Sequence, residues 1–336
     1  MKVLVTGSNG RIGSNLVREL LARGHSVRGF VYPGDAKRVD RLRQFFPEAE
    51  TVFGDLRDEA AVREAVRGVD AVYHLAAAFA GPFSHSEYVD INARGTLHLL
   101  EALRHSDAGS RRLIYAGTEA VYWRLDRPDR IFARPITPAD VSPLKRMPYF
   151  LTKWMGEELC ATYRVQYGVP TTVLRFATVI EPSEFLNAEG LPGRFLVNAG
   201  NPAHRAALGA EAEGAPRLLL GRTPDGRPAK EHFVDIRDLV QALCLMLKRE
   251  ETVGQTYTAG GAALFRAEAT IPYLAERYRL PVVDGTLENA SCFEFDLGPL
   301  EALGYRPAHD FASICDAAEA IRRGEDVGII PTGERY

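Results

Sequence analysis

MKVLVTGSNGRIG, residues 1–13, is the stretch whose reading decides the fold. Lys2 to Thr6 read as a short buried strand, because Val3, Leu4 and Val5 are apolar and mostly β-branched. Gly7, Gly10 and Gly13 follow with the spacing G-x-x-G-x-x-G. SNLVRELLARG, residues 14–24, then reads as an amphipathic helix with Leu16, Leu20 and Leu21 on one face. Strand, glycine loop and helix in that order lay a pyrophosphate on a helix N-terminus. Glycines are required there because a Cβ would block the tight turn and hold phosphates away from the backbone N–H groups.

The pattern continues outward. Strands are expected at 26–32, 50–56, 70–79 and 111–122, with helices at 35–46, 58–69 and 87–106. That alternation predicts a parallel sheet covered by helices on both faces. Residues 123–148 carry five prolines and read as a long ordered loop. A helix resumes at Tyr149 behind Pro148, and TTVLRFATVI (171–180) is a sixth strand. Residues 232–249 read as a strand end and helix, and 255–261 as another short strand. The remainder reads as a small lobe interleaved with the sheet. The expected division is residues 1–178 plus about 234–261 for the nucleotide-binding part, and about 179–233 plus 262–336 for the lobe.

The 336 residues, 46% of them hydrophobic, suffice for a real core. A net charge of -3 gives no reason to expect a nucleic acid or membrane partner. Cys160, Cys244, Cys292 and Cys315 lie far apart with no C-x-x-C pair, so reduced thiols are expected, and no metal site. The chain opens on a strand and no apolar run approaches 18 residues, so the expected location is cytoplasmic.

Tyr149 and Lys153 form Y-x-x-x-K on one face of a helix start. A phenol with pKa about 10 is a poor base at neutral pH, and a neighbouring ammonium makes its proton transfer feasible. Thr118 ends the fifth strand, where its hydroxyl would face the cofactor crevice and hold a reacting oxygen.

These stretches resemble the extended short-chain dehydrogenase/reductase superfamily, in its NAD(P)-dependent epimerase/dehydratase group. TGSNGRIG is similar to the family's TGxxGxxG; GDL (54–56), HLAAA (74–78), NARGT (92–96), YAGTEAVY (115–122), YFLTK (149–153), LRFATVIEP (174–182), EHFVDIRDLVQAL (231–243) and LGYRP (303–307) resemble further family segments. The resemblance implies a Rossmann-type α/β fold, a doubly wound parallel sheet with a smaller interleaved C-terminal substrate lobe. It implies Tyr149 as acid/base, Lys153 orienting it and binding the nicotinamide ribose, and Thr118 on the substrate oxygen. It places NAD(P) against Gly7, Asn9, Gly10, Arg11, Ile12, Gly13, Asp55, Leu56, Leu75, Ala76, Ala77, Asn92, Tyr149, Lys153 and Thr178. A homodimer through the helices carrying NARGT and YFLTK is also implied, with Leu97, Leu99, Leu100, Met155 and Leu159 as interface or core.

Three departures matter. Ala120 stands where dehydratases carry an acid, with Glu119 beside it as a candidate substrate residue. Glu231 replaces the arginine that binds sugar-nucleotide phosphates, with Arg222, Arg227 or Lys230 as substitutes. Val31 and Tyr32 replace the acid expected for NAD, while Arg11, Lys37 and Arg38 could meet a 2′-phosphate and Asp35 could reach the ribose, so the lean is to NADP. The loop at 123–148 carries six cationic residues against three acids, a rim suited to an anionic substrate as well as to solvent. Ser84 and His85 are further candidate substrate residues. The expected activity is hydride transfer at a sugar carbinol, epimerase-like on a carbohydrate. A net dehydrogenase or reductase is the alternative, and a non-catalytic NAD(P) sensor the rival that the presence of Thr118, Tyr149 and Lys153 disfavours.

Overall fold

The computed structural model describes residues 1–35, 38–106, 112–126 and 130–331. Its centre is a seven-stranded sheet built from β1 (Lys2–Thr6), β2 (Ser26–Val31), β3 (Glu50–Phe53), β4 (Ala71–His74), β5 (Arg112–Thr118), β7 (Thr171–Phe176) and β11 (Thr256–Ala259). The order is β3-β2-β1-β4-β5-β7-β11, and every pairing is parallel. The order reverses at β1, so the crevice at its C-terminal end is a topological switch point.

Alternation along each strand sorts side chains onto two faces. Val3, Val5, Tyr73, Ile114 and Leu174 face one core with α1 (Arg11–Ala22) and α8 (Ile236–Met246). Leu4, Val72, Leu113 and Tyr115 face the other, with α3 (Glu59–Val66), α5 (Gly95–Arg104) and α6 (Tyr149–Tyr167). Leu99 and Leu100 are fully buried in that second core, so they are not available to a dimer interface; Leu97 and Leu159 pack half-buried against it. No described helix is long and apolar enough to cross a membrane.

The elements depart from expectation where packing overrides pattern. Among the described residues of the expected helix at 35–46, the α-helix is α2 (Arg41–Phe45), which buries Leu42. The expected strand at 70–79 ends at His74, and the one at 111–122 ends at Thr118 and turns into a short 3₁₀ segment. The helix at 87–106 begins earlier, as α4 (His85–Tyr88), and passes through a π-helical turn (Val89–Arg94) into α5. The sixth strand breaks at Ala177, whose N–H donates to Ala259 (3.1 Å); β8 (Thr178–Ile180) then leaves the main sheet to pair with β10 (Lys230–Asp235).

That break starts the second layer. The short strands β6 (Arg130–Ile131), β14 (Ser291–Cys292) and β12 (Leu264–Arg266) join β10 in the order β12-β10-β14-β6. β9 (Leu218–Arg222) pairs with β13 (Val282–Thr286). Phe185, Phe195, Phe233, Phe265 and Phe311 form a third core there, with α9 (Ala267–Tyr278) and α11 (Phe311–Arg322).

Candidate active site

The glycine loop is held by backbone packing. Gly7 lies at φ +68, and a Cβ on it would meet Ala76 backbone atoms at 3.0 Å. A Cβ on Gly13 would sit 2.0 Å from the Gly7 carbonyl oxygen. Bare backbone at both positions lets α1 start directly behind the turn with Gly10 as its cap, which leaves the cradle a dinucleotide pyrophosphate requires. Beneath it the Thr6 hydroxyl bonds His74 Nδ1 (2.9 Å) and accepts from Ala76 N–H (3.1 Å), while His74 Nε2 bonds Thr96 (3.0 Å). Burial pushes His74 down to about 3, so the ring is neutral.

A cleft of about 980 Å³ opens over this loop. Of the expected cofactor residues, Gly7, Asn9, Gly10, Arg11, Ile12, Gly13, Asp55, Leu56, Leu75, Ala76, Ala77, Tyr149, Lys153 and Thr178 line it. Asn92 does not. It is buried, accepts from Ala78 N–H (2.7 Å), and donates to the Ala78 carbonyl (3.0 Å) and to Thr152 (3.0 Å). Its task is to pin the 75–79 loop to α6, which a motif match cannot distinguish from cofactor contact.

Thr118, Tyr149 and Lys153 come together in the same cleft. Burial pushes the Tyr149 phenol well above its ordinary value, and the Thr118 hydroxyl opposes that shift. Lys153 is buried, with Nζ over the Tyr115 ring at 4.2 Å, and desolvation brings it down to about 8. Desolvation thus dominates at Tyr149, and the lowering expected from Lys153 does not outweigh it. Phe79 places its ring edge-on to Tyr149, centroids 4.9 Å apart, and stands 54% exposed.

Glu119 is buried in the cleft wall. Its Oε1 accepts the Thr178 hydroxyl (2.6 Å), and its Oε2 has no partner among the described residues. Burial raises it to about 7.

Several expectations are corrected. Ser84 caps α4 through a capping box with Glu87, and neither Ser84 nor the exposed His85 lines the cleft. Arg222 lies outside the cleft and pairs with Asp284 (2.8 Å); Arg227 pairs with Asp225 (2.5 Å) and Lys230 with Glu294 (3.5 Å). Arg11 pairs with Glu184 (2.5 Å) and donates to the Val179 carbonyl (3.3 Å), away from the segment after β2. Arg38 lies 3.5 Å from the Asp35 carboxylate, and Lys37 lies outside the described residues. Sequence reasoning missed Arg194, which lines the cleft beside Glu231 (3.6 Å) and which no local pattern marks; Arg130, one of the six cations expected on the rim at 123–148, also lines the cleft.

Known proteins resemble this chain in sequence and fold. A family model described as the NAD dependent epimerase/dehydratase family matches residues 3–260. Sterol demethylase protein B of Methylococcus capsulatus is 39% identical over 274 residues, covering 78% of this chain and 70% of that one. A UDP-glucose 4-epimerase of Lactobacillus helveticus is 31% identical over 259 residues, covering 74% and 72%. A short-chain dehydrogenase/reductase superfamily protein from Agrobacterium tumefaciens, solved with bound NAD, superposes with a TM-score of 0.80 at 30% identity, covering 96% and 98%. The chain belongs to the NAD dependent epimerase/dehydratase family of oxidoreductases and isomerases.

Proposed function

We propose that the protein transfers a hydride at a carbinol carbon of a sugar or nucleotide sugar, in the manner of an epimerase, with Tyr149 as acid/base. The observation that carries this reading is the meeting of Thr118, Tyr149 and Lys153 in one cleft floored by the glycine loop, with Lys153 one helical turn on from Tyr149. Thr118 holds the reacting oxygen, Tyr149 takes or returns its proton, and the Lys153 ammonium favours the phenolate. When bound, the nicotinamide supplies the hydride chemistry. The likeness to a UDP-glucose 4-epimerase supports a carbohydrate substrate.

NAD is the proposed cofactor. Arg11 is committed to Glu184, and the Arg38 guanidinium is offset by the Asp35 carboxylate, which opposes a 2′-phosphate. A net dehydrogenase acting on a more apolar carbinol is the second reading. Phe79 and Phe83, 54% and 38% exposed along one cleft wall, favour it, as does the likeness to sterol demethylase protein B.

Denaturing the purified protein and identifying the released nucleotide separates the two. Stoichiometric NAD is expected for the epimerase; an empty site with substrate-dependent absorbance at 340 nm selects the dehydrogenase, and released NADP overturns the cofactor assignment. Tyr149→Phe is expected to lower kcat about 10²–10⁴-fold with cofactor affinity nearly intact. Unchanged turnover in that variant removes Tyr149 from the mechanism.

A further inference from the structure

Five arginines line the cleft: Arg11, Arg38, Arg57, Arg130 and Arg194. Four face a carboxylate, namely Glu184 (2.5 Å), Asp35 (3.5 Å), Asp55 (2.6 Å) and Glu231 (3.6 Å) in that order. Arg130 has no carboxylate partner among the described residues. Its guanidinium instead lies over the Trp123 ring, 4.9 Å from the centroid. Stacking on an aromatic face orients a guanidinium while leaving its in-plane N–H donors unspent.

The fold brings this cation within electrostatic reach of Glu119, the neighbour of Thr118. Arg130 opens β6, which pairs with β14 (Arg130 opposite Ser291), and β14 pairs with β10 (Cys292 opposite Lys230). Arg130 therefore stands two strands, roughly 10 Å, from the Lys230–Glu231 segment, where Arg194 also binds. Both Arg130 and Glu231 act electrostatically on Glu119, the residue next to Thr118. A cation seated on an aromatic ring in the cleft, with no carboxylate in direct contact among the described residues and within electrostatic reach of Glu119, is poised for an anion.

We infer that Arg130, stacked on Trp123, is the binding site for an anionic group of the substrate, a carboxylate or a phosphate, carried on the same molecule as the carbinol that faces Tyr149. The inference rests on the proposed function only for where the carbinol lies. A neutral carbinol leaves the fork of donors unfilled, whereas an anion takes two parallel charge-assisted hydrogen bonds. The site thereby favours an acidic or phosphorylated carbohydrate over a neutral sugar, and over an apolar alcohol.

Trp123 reports on its own cation. The chain has two tryptophans, and Trp154 does not line the cleft, so Trp154→Phe leaves Trp123 as the single emitter. In NAD-loaded W154F protein, titration with D-glucuronate, D-glucose 6-phosphate and D-glucose reads the site without turnover. A saturable change in Trp123 emission with an anion and none with D-glucose is expected. Saturation by D-glucuronate alone assigns a carboxylate, and by D-glucose 6-phosphate a phosphate. Adding Arg130→Gln is expected to weaken the anion about 10–100-fold, and Arg130→Lys to fall between, since it keeps the charge but loses the fork. Equal response to D-glucose, no response to either anion, or unaltered binding in both Arg130 variants overturns the inference. Tyr149→Phe in the same background is expected to bind the anion normally, so a failed acid/base assignment and a failed anion site give different results.

Discussion

Glu119 illustrates how burial resets an ordinary carboxyl. Desolvation raises it from 4.5 to about 7, opposed by the Thr178 hydroxyl and the Arg130 charge. Between those two values the folded protein holds a proton that the unfolded chain has released. Folding stability therefore declines as pH rises from about 4.5 to about 7, and the penalty persists above that window. Glu119→Gln keeps a partner for Thr178 and cannot ionise. It is expected to be more stable than the parent at pH 8, by roughly 3 kcal/mol, and to match it near pH 4.5. Equal shifts at both pH values in calorimetry would count against the buried-charge account. The sequence shows an acid beside Thr118, but not that one of its oxygens is left without a partner, because Thr178 reaches it from 59 residues away.

The glycine loop with its flanking β1 and α1 is the element on which cofactor binding depends. At Gly13 the Cβ of alanine would lie 2.0 Å from the Gly7 carbonyl oxygen, and backbone at that distance has to move. Gly13→Ala is expected to weaken cofactor binding on the order of 100-fold or more, with far-ultraviolet circular dichroism close to that of the parent. Titration by cofactor fluorescence quenching tests this, and parent-like affinity would show that the loop tolerates the shift. This element was legible because its requirements are local: strand propensity, glycine spacing and an apolar helix face occupy adjacent residues. The 171–180 stretch was less so. It reads as one strand, but hydrogen bonding of Ala177 to β11 and of β8 to β10 divides it between two sheets.

Across the whole molecule, the Arg11–Glu184 pair ties the start of α1 to the turn after β8, over 173 residues of sequence. Both side chains are largely buried, and both line the cleft. The pair thus joins two chain segments at the cleft beside the glycine loop, where it would steady a bound dinucleotide. Glu184→Gln is expected to speed cofactor dissociation about 10-fold, read by stopped-flow displacement of the reduced cofactor. Slower release would instead mean that Glu184 competes with the pyrophosphate for Arg11. The tie also explains why Arg11 misleads as a reader of the 2′-phosphate: its charge is used by the other wall of the cleft.

By itself the sequence determined the parallel sheet, the place of the glycine cradle, and the meeting of Thr118, Tyr149 and Lys153 at one crevice. These follow from periodicity and from short spacings, i to i+4 for Tyr149 and Lys153, which the backbone converts directly into position. Tertiary structure alone decided where the long charged side chains are used. Arg222 is spent on Asp284 across 62 residues, Arg11 on Glu184 across 173, and Arg130 rests on Trp123 facing the cleft. An ion pair depends on which distant chain segment lies within about 4 Å, and no local pattern carries that information.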